Sequence, residues 1–189
     1  NTPPHTVSFT QDRDLDTIKI IDSLILAMDV RERIGQTIIV YHSPQSFLKK
    51  HAIGGTIIMQ NMLKKPDQLR HEISQIQNDF DIGIFTAIDQ EGGFVNRLKK
   101  LPGYRNTPSA ADFTQLSQAS KTLWSDSIAH GMKSLGLNLN LAPVVDPAKD
   151  VNGQLTLMGH KGRAYGSQYE EIVHSALTFC ETLKKHAIA

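Results

Sequence analysis

Cysteine is nearly absent. Cys180 stands alone in 189 residues, so no internal disulfide can brace this chain. No stretch approaches the ~18 apolar residues that a membrane helix needs, and no signal-type leader opens the sequence. Charge is almost balanced: 20 Lys and Arg against 19 Asp and Glu give a net +1, which leaves no field to steer nucleic acid or an acidic membrane. Like charges cluster only as pairs such as Lys49-Lys50, Lys99-Lys100 and Lys184-Lys185, which solvated helix faces explain. The eight histidines form no HxxxH or HxH pair and there is no CxxC, so a metal site is disfavoured. A phosphate loop of the GxxxxGK[ST] type and a GxSxG serine elbow are also missing. No cofactor is expected.

With 40% hydrophobic and 21% charged residues the chain has an ordinary globular balance, and its length fits one domain. Residues 1–13 read as a polar N-terminal tail, and 14–189 as the folded unit. The polar start leaves the compartment open, whether bacterial cytoplasm, periplasm or exterior.

Apolar runs alternate with helical patterns. Leu15, Ile18, Ile21, Leu24, Ile25 and Met28 follow a helical spacing. Asp29 with Glu32 three residues on forms a capping box for a second short helix. Short β-branched runs at Thr37 to Tyr41 and Ile53 to Met59 read as strands. Leu69, Ile73, Ile76 and Phe80 mark one face of a helix after Pro66. Ile82 to Ile88 is almost continuously apolar, the pattern of a strand covered on both faces. A helix over Gln115 to Leu135 follows, with Leu116, Ala119, Leu123, Ile128, Met132 and Leu135 as its stripe and Gly136 as its stop. Leu137 to Val145 is a fourth strand-like run, followed by a loop of more than twenty residues. A last helix over Gln168 to His186 carries Ile172, Val173, Ala176, Leu177, Cys180 and Leu183 inward, which makes Cys180 a small buried hydrophobe. Ala187-Ile188-Ala189 resembles the start of another strand. Strand–helix alternation implies parallel pairing with right-handed crossovers. Periodicity alone leaves two architectures open, a doubly wound sheet and a closed (β/α)8 barrel, of which four strands are half.

The segment Ala87 to Gly93 puts Asp89 and Glu91 at the C-terminal end of a buried strand, where ligand sites sit in parallel α/β folds. Gly92 and Gly93 let the backbone turn beside a ligand, and Arg97 follows closely. A carboxylate accepts hydroxyl hydrogen bonds and a guanidinium donates a fork, a combination suited to a polyhydroxylated ligand. The same residues also suit an acidic loop held by Arg97 for structural reasons. Asn138 and Asn140 alternate with leucines and read as satisfied interior amides, and Asp146 reads as a loop anchor. In the long loop, Arg163 sits between Gly162 and Gly166, either reaching a sugar or simply exposed.

These segments together resemble glycoside hydrolase family 3. The resemblance rests on Arg33-Ile34-Gly35-Gln36, Ile53 to Ile58, Ile88-Asp89-Gln90-Glu91-Gly92-Gly93 with Val95 and Arg97, Thr107-Pro108-Ser109, Leu137 to Asp146, and Gly162-Arg163-Ala164-Tyr165-Gly166, in the family's order. It covers about Leu24 to Ala189 and is strongest toward the bacterial β-N-acetylhexosaminidases. It implies the N-terminal half of a TIM-type (β/α)8 barrel: about four βα units after a helical lead-in, stopping before the fifth strand. It further implies a retaining glycosidase with Asp89 on the sugar hydroxyls, Arg97 supporting that carboxylate or the substrate, and Arg163 reaching the same subsite. The family's nucleophile and acid/base belong to later strands, so no catalytic residue is assigned in this chain; Lys185-His186 belongs to the preceding helix. The family commonly has arginine directly after the double glycine, where this chain has Phe94. The expected partner is a carbohydrate, from peptidoglycan fragments or chitooligosaccharides, together with the missing half-barrel, in cis or as a second chain. A β-glucosidase-type member, or an inactive sugar-binding half-barrel, is the alternative.

Overall fold

The computed structural model describes residues 15–189, so the expected tail over 1–13 lies outside the described residues. Four short strands, β1 (Ile39–Tyr41), β2 (Gly55–Ile57), β3 (Phe85–Ile88) and β4 (Leu139–Asn140), form one parallel sheet in sequential order. The helices are α1 (Leu15–Ala27), α2 (Val30–Gln36), α3 (Gln45–Lys50), α4 (Pro66–Asp79), α5 (Ala110–Thr114), α6 (Gln118–Ser134), α7 (Leu157–His160) and α8 (Tyr169–Lys185). Each strand is followed by helix, and the sequential strand order is that of a barrel rather than of a doubly wound sheet, whose order reverses partway. The chain therefore builds half of a (β/α)8 barrel. Ala187 to Ala189 already pairs with β4: Ala189 N–H donates to the Asn138 carbonyl at 3.0 Å, and Asn140 N–H to the Ala189 carbonyl at 2.8 Å.

Local sequence explains most boundaries. Asp29 caps α2 through the expected box, its carboxylate accepting from Glu32 N–H while Glu32 accepts from Asp29 N–H, both at 2.8 Å. Pro66 opens α4, whose Leu69, Ile73 and Ile76 are buried as its spacing predicts. Gly136 ends the α6 segment with φ +82, a conformation that costs glycine little. The main core joins Ile58, Leu69, Ile73 and Ile88 to Ile128, Met132, Phe113, Tyr165, Phe179 and Leu183, and a smaller cluster of Leu48, Ile53, Ile76 and Ile84 lies under α3 and α4. Edge-to-face rings (Phe113 with Tyr165 and with Phe179) tie α5 and α8 to the loop after β4.

Four expectations need correction. β3 is covered on both faces only from its second residue on: Thr86, Ala87 and Ile88 are fully buried, whereas Phe85, which shares a face with Ile39 and Tyr41, is 47% exposed. α6 starts at Gln118, after a separate helix α5 capped by Ser109, and its buried face runs through Lys121, Ser125, Ile128 and Met132, leaving Ala119 and Leu123 outside. α8 is rotated relative to the expected stripe, burying Ser175, Ala176, Phe179, Thr182 and Leu183 while Leu177 and Cys180 are exposed. Apolar spacing misleads here because small Ser and Thr residues share the inward faces with the aliphatics where α6 and α8 pack closely. α3 has no counterpart among the expected helices, since six residues with two apolar positions carry too little periodicity.

Candidate functional site

The carboxyl ends of β3 and β4 carry the expected residues. The alternation of β3 continues past its last residue: Gln90 is turned inward and fully buried, while Asp89 and Glu91 remain partly exposed. Gln90 is locked from every side. Its side chain donates to Asn96 Oδ1 at 3.1 Å and accepts from Leu98 N–H at 2.9 Å, while its backbone exchanges hydrogen bonds with the Asn140 amide at 3.0 and 3.1 Å. Asn138 does the same one step earlier, accepting from Thr86 N–H at 2.8 Å and donating to the Ile84 carbonyl at 3.1 Å. Both asparagines are thus satisfied amides that tie β4 to β3, as expected of them.

With Gln90 fixed, the two acids have defined directions. Asp89 Oδ2 accepts from Arg97 Nη2 at 2.9 Å. Glu91 accepts a two-pronged bond from Arg163, Nε to Oε2 at 2.7 Å and Nη2 to Oε1 at 2.6 Å. The Glu91 side chain is only 6% exposed and that of Arg163 23%. The hydrogen bonds that Arg163 donates to Glu91 hold its pKa above the ordinary value, and the charges of Glu91, Asp89 and Asp146 add to this against the cost of desolvation. Arg163 is therefore neither loosely exposed nor wholly free for a ligand; it braces the loop after β4 against the loop after β3. Asp146 is exposed and makes no loop anchor. Ala148 N–H to the Gly166 carbonyl at 2.7 Å and Thr156 Oγ1 to the Pro147 carbonyl at 2.9 Å do that instead.

The double glycine holds these loops together. Gly92 and Gly93 have φ of +92 and +51, and a Cβ on Gly92 would lie 2.0 Å from the Pro108 carbonyl oxygen. Gly93 N–H donates to the Thr107 carbonyl at 3.0 Å, and Ala111 N–H donates to that of Gly162 at 3.2 Å. Thr107-Pro108-Ser109 is thus wedged between the glycine turn and the Arg163 loop. Glu91, which has no separate role in the sequence pattern, joins the site because strand alternation points it the same way as Asp89. His186 sits at the opposite end of the strands, where its Nε2 meets Asp126 Oδ1 at 2.9 Å and its ring packs on His130, so it is remote from these pairs.

Two carboxylates and two guanidiniums thus meet at the carboxyl end of a parallel half-barrel, the end at which α/β-barrel enzymes build their sites. The chain belongs to glycosyl hydrolase family 3: the model of that family's N-terminal domain matches residues 29–189. Curated relatives include a β-hexosaminidase from Methylococcus capsulatus, 25% identical over 151 residues, covering 77% of this chain and 42% of the relative. A β-hexosaminidase from Alkalilimnicola ehrlichii is 28% identical over 131 residues, covering 66% of this chain and 36% of its own length. The chain therefore spans less than half the length of these relatives. Among solved structures, LpqI of M. tuberculosis superposes with a TM-score of 0.73 at 21% identity over 88% of this chain and 48% of that one. A family 3 β-N-acetylglucosaminidase from Paenibacillus gives 0.70 at 20% identity, over 86% of this chain and 32% of that one.

Proposed function

We propose that these residues form the binding half of a retaining exo-glycosidase that hydrolyses β-linked N-acetylglucosamine, from peptidoglycan fragments or chitooligosaccharides. The observation that carries this reading is the state of Asp89. Its Oδ2 is committed to Arg97, while Oδ1 accepts no hydrogen bond among the described residues. An oriented carboxylate oxygen at a strand end is an acceptor for sugar hydroxyls. Arg97 holds that carboxylate in place. Arg163, with Nε and Nη2 held by Glu91, keeps Nη1 for the ligand. The curated relatives' name, β-hexosaminidase, supports the choice of a hexosaminide, and the Paenibacillus structure, described as a β-N-acetylglucosaminidase, supports the N-acetyl group. In the two-step chemistry of retaining enzymes a carboxylate attacks the anomeric carbon and water then releases the sugar. Asp89 is assigned to binding, and no residue of this chain to nucleophile or acid/base.

The test pairs the intact mass of the purified protein with turnover of 4-nitrophenyl N-acetyl-β-glucosaminide and of the corresponding glucoside. Turnover of the first by a polypeptide well above 21.0 kDa is the expected result. In that polypeptide Asp89→Asn lowers kcat/KM roughly 10- to 100-fold, the loss of one hydrogen bond to a charged group at about 1.5–3 kcal/mol. Preference for the glucoside, or unchanged kcat/KM in Asp89→Asn, overturns the reading.

A further inference from the structure

Phe94 occupies the tip of a tight turn. Val95 N–H donates to the Gly92 carbonyl at 3.0 Å and Gly92 N–H to that of Val95 at 3.2 Å, leaving Gly93 and Phe94 as the central pair. Turn tips favour small polar residues, and a phenylalanine there gains little from folding. Phe94 belongs to neither apolar core and is 64% exposed. A single exposed ring is ordinary, but this one has a defined neighbour: Lys161 Nζ lies 4.8 Å from its centroid. Lys161 has no carboxylate within ion-pair distance among the described residues. The two residues also lie beside the ligand pairs in sequence. Phe94 is three residues after Glu91 and Lys161 is two before Arg163, so the same two loops meet twice, once through the enclosed Glu91–Arg163 fork and once through the open Phe94–Lys161 contact.

We infer that Phe94 and Lys161 form a second sugar subsite that takes the leaving-group pyranose of a β-N-acetylhexosaminide. The inference rests on the proposed function above. One face of the ring carries the Lys161 ammonium; the other is electron-rich and matches the C–H face of a pyranose, while the ammonium, with no carboxylate partner among the described residues, has donors for the hydroxyls around that sugar. The depth of the site sets which sugar goes where. Asp89, directly at the strand end, holds the residue that is released; the exposed turn tip meets the part of the ligand that extends outward.

The experiment uses the complete polypeptide and two substrates: N,N′-diacetylchitobiose, and N-acetyl-β-glucosaminyl fluoride, whose leaving group is one atom. Phe94→Ala lowers kcat/KM for the disaccharide about tenfold more than for the fluoride, the size expected for one lost stacking contact, with the difference residing in KM. Phe94→Trp retains the disaccharide rate, and its indole emission shifts with chitobiose but not with N-acetylglucosamine. Equal losses on both substrates in Phe94→Ala and Lys161→Ala make the pair a loop staple and overturn the subsite, as does an unchanged disaccharide rate. If the unmodified protein hydrolyses neither substrate, the glycosidase reading itself fails and the subsite with it.

Discussion

The Arg163→Met variant keeps an unbranched side chain of similar reach but removes the guanidinium fork from Glu91. The carboxylate it leaves is 6% exposed and has lost both of its hydrogen bonds, at 2.6 and 2.7 Å. Removing one partner of a buried pair costs about 3–5 kcal/mol, because the remaining charge stays desolvated. That is a large fraction of a domain stability of roughly 5–15 kcal/mol. With a urea slope of about 2 kcal/mol/M, the midpoint should fall by roughly 1.5–2.5 M. The double variant Glu91→Met/Arg163→Met removes both charges, and apolar pairs of similar volume are often neutral or better. It should therefore recover most of the loss, a non-additivity of about 2 kcal/mol or more. The assay is urea unfolding of the three variants and the parent, followed by circular dichroism and by the fluorescence of Trp124, the only tryptophan. A shift below roughly 0.5 M in Arg163→Met, on the same scale of slope, means that solvent screens the pair and that the brace argument is wrong. Additive effects in the double variant refute it equally.

Gly92→Ala should destabilise by about 2 kcal/mol or more in the same urea assay, since its Cβ meets the Pro108 oxygen at 2.0 Å and its φ is +92; Gly153→Ala, with open space around its Cβ, is the control for positive φ alone. Burial pushes the Tyr165 phenol well above its ordinary value. The folded state then holds its proton where the unfolded state releases it, so this contribution is complete below about pH 10 and is lost as pH rises further. Tyr165→Phe should flatten the alkaline fall in stability. Partial burial and the neighbouring Glu181 raise the Cys180 thiol, so iodoacetamide at pH 8 should modify it more slowly than glutathione despite its exposure.

Motifs that fix backbone direction were readable in the sequence, whereas packing faces were not. The capping box at Asp29, the stop at Gly136 and the strand-end position of Asp89 each depend on a few adjacent residues, and each is found where expected. The inward faces of α6 and α8 depend on how closely two helices approach. There Ser125, Ser175, Thr178 and Thr182 are buried through hydroxyl bonds to the preceding helical turn or to the neighbouring helix, which hydrophobic periodicity does not register. Leu123, Leu177 and Cys180 were misplaced for the same reason. The candidate residues were legible as types and positions, and so was Arg97 as the partner of the Asp89 carboxylate, but the Glu91–Arg163 pairing was not. Seventy-two residues separate Glu91 from Arg163, and no local pattern links them.

The two ion pairs use the same chemistry for different ends, and their hydrogen-bond counts separate them. Glu91 spends both oxygens on Arg163, so a ligand could reach it only by breaking a fork that is already enclosed; its contribution is to hold Arg163 still. Asp89 spends one oxygen on Arg97 and stays more open to solvent, so binding a hydroxyl there displaces water without breaking an existing bond. The rigid pair sets the position of a donor and the half-committed pair offers an acceptor, both anchored through Gln90 and Asn140 to the sheet. Preorganisation of this kind lowers the ordering cost of recognition. It also explains why Thr107-Pro108-Ser109 is packed so tightly against Gly92 and Gly93. If that wedge moved, the loops after β3 and β4 would separate and the Glu91–Arg163 fork would lose its alignment.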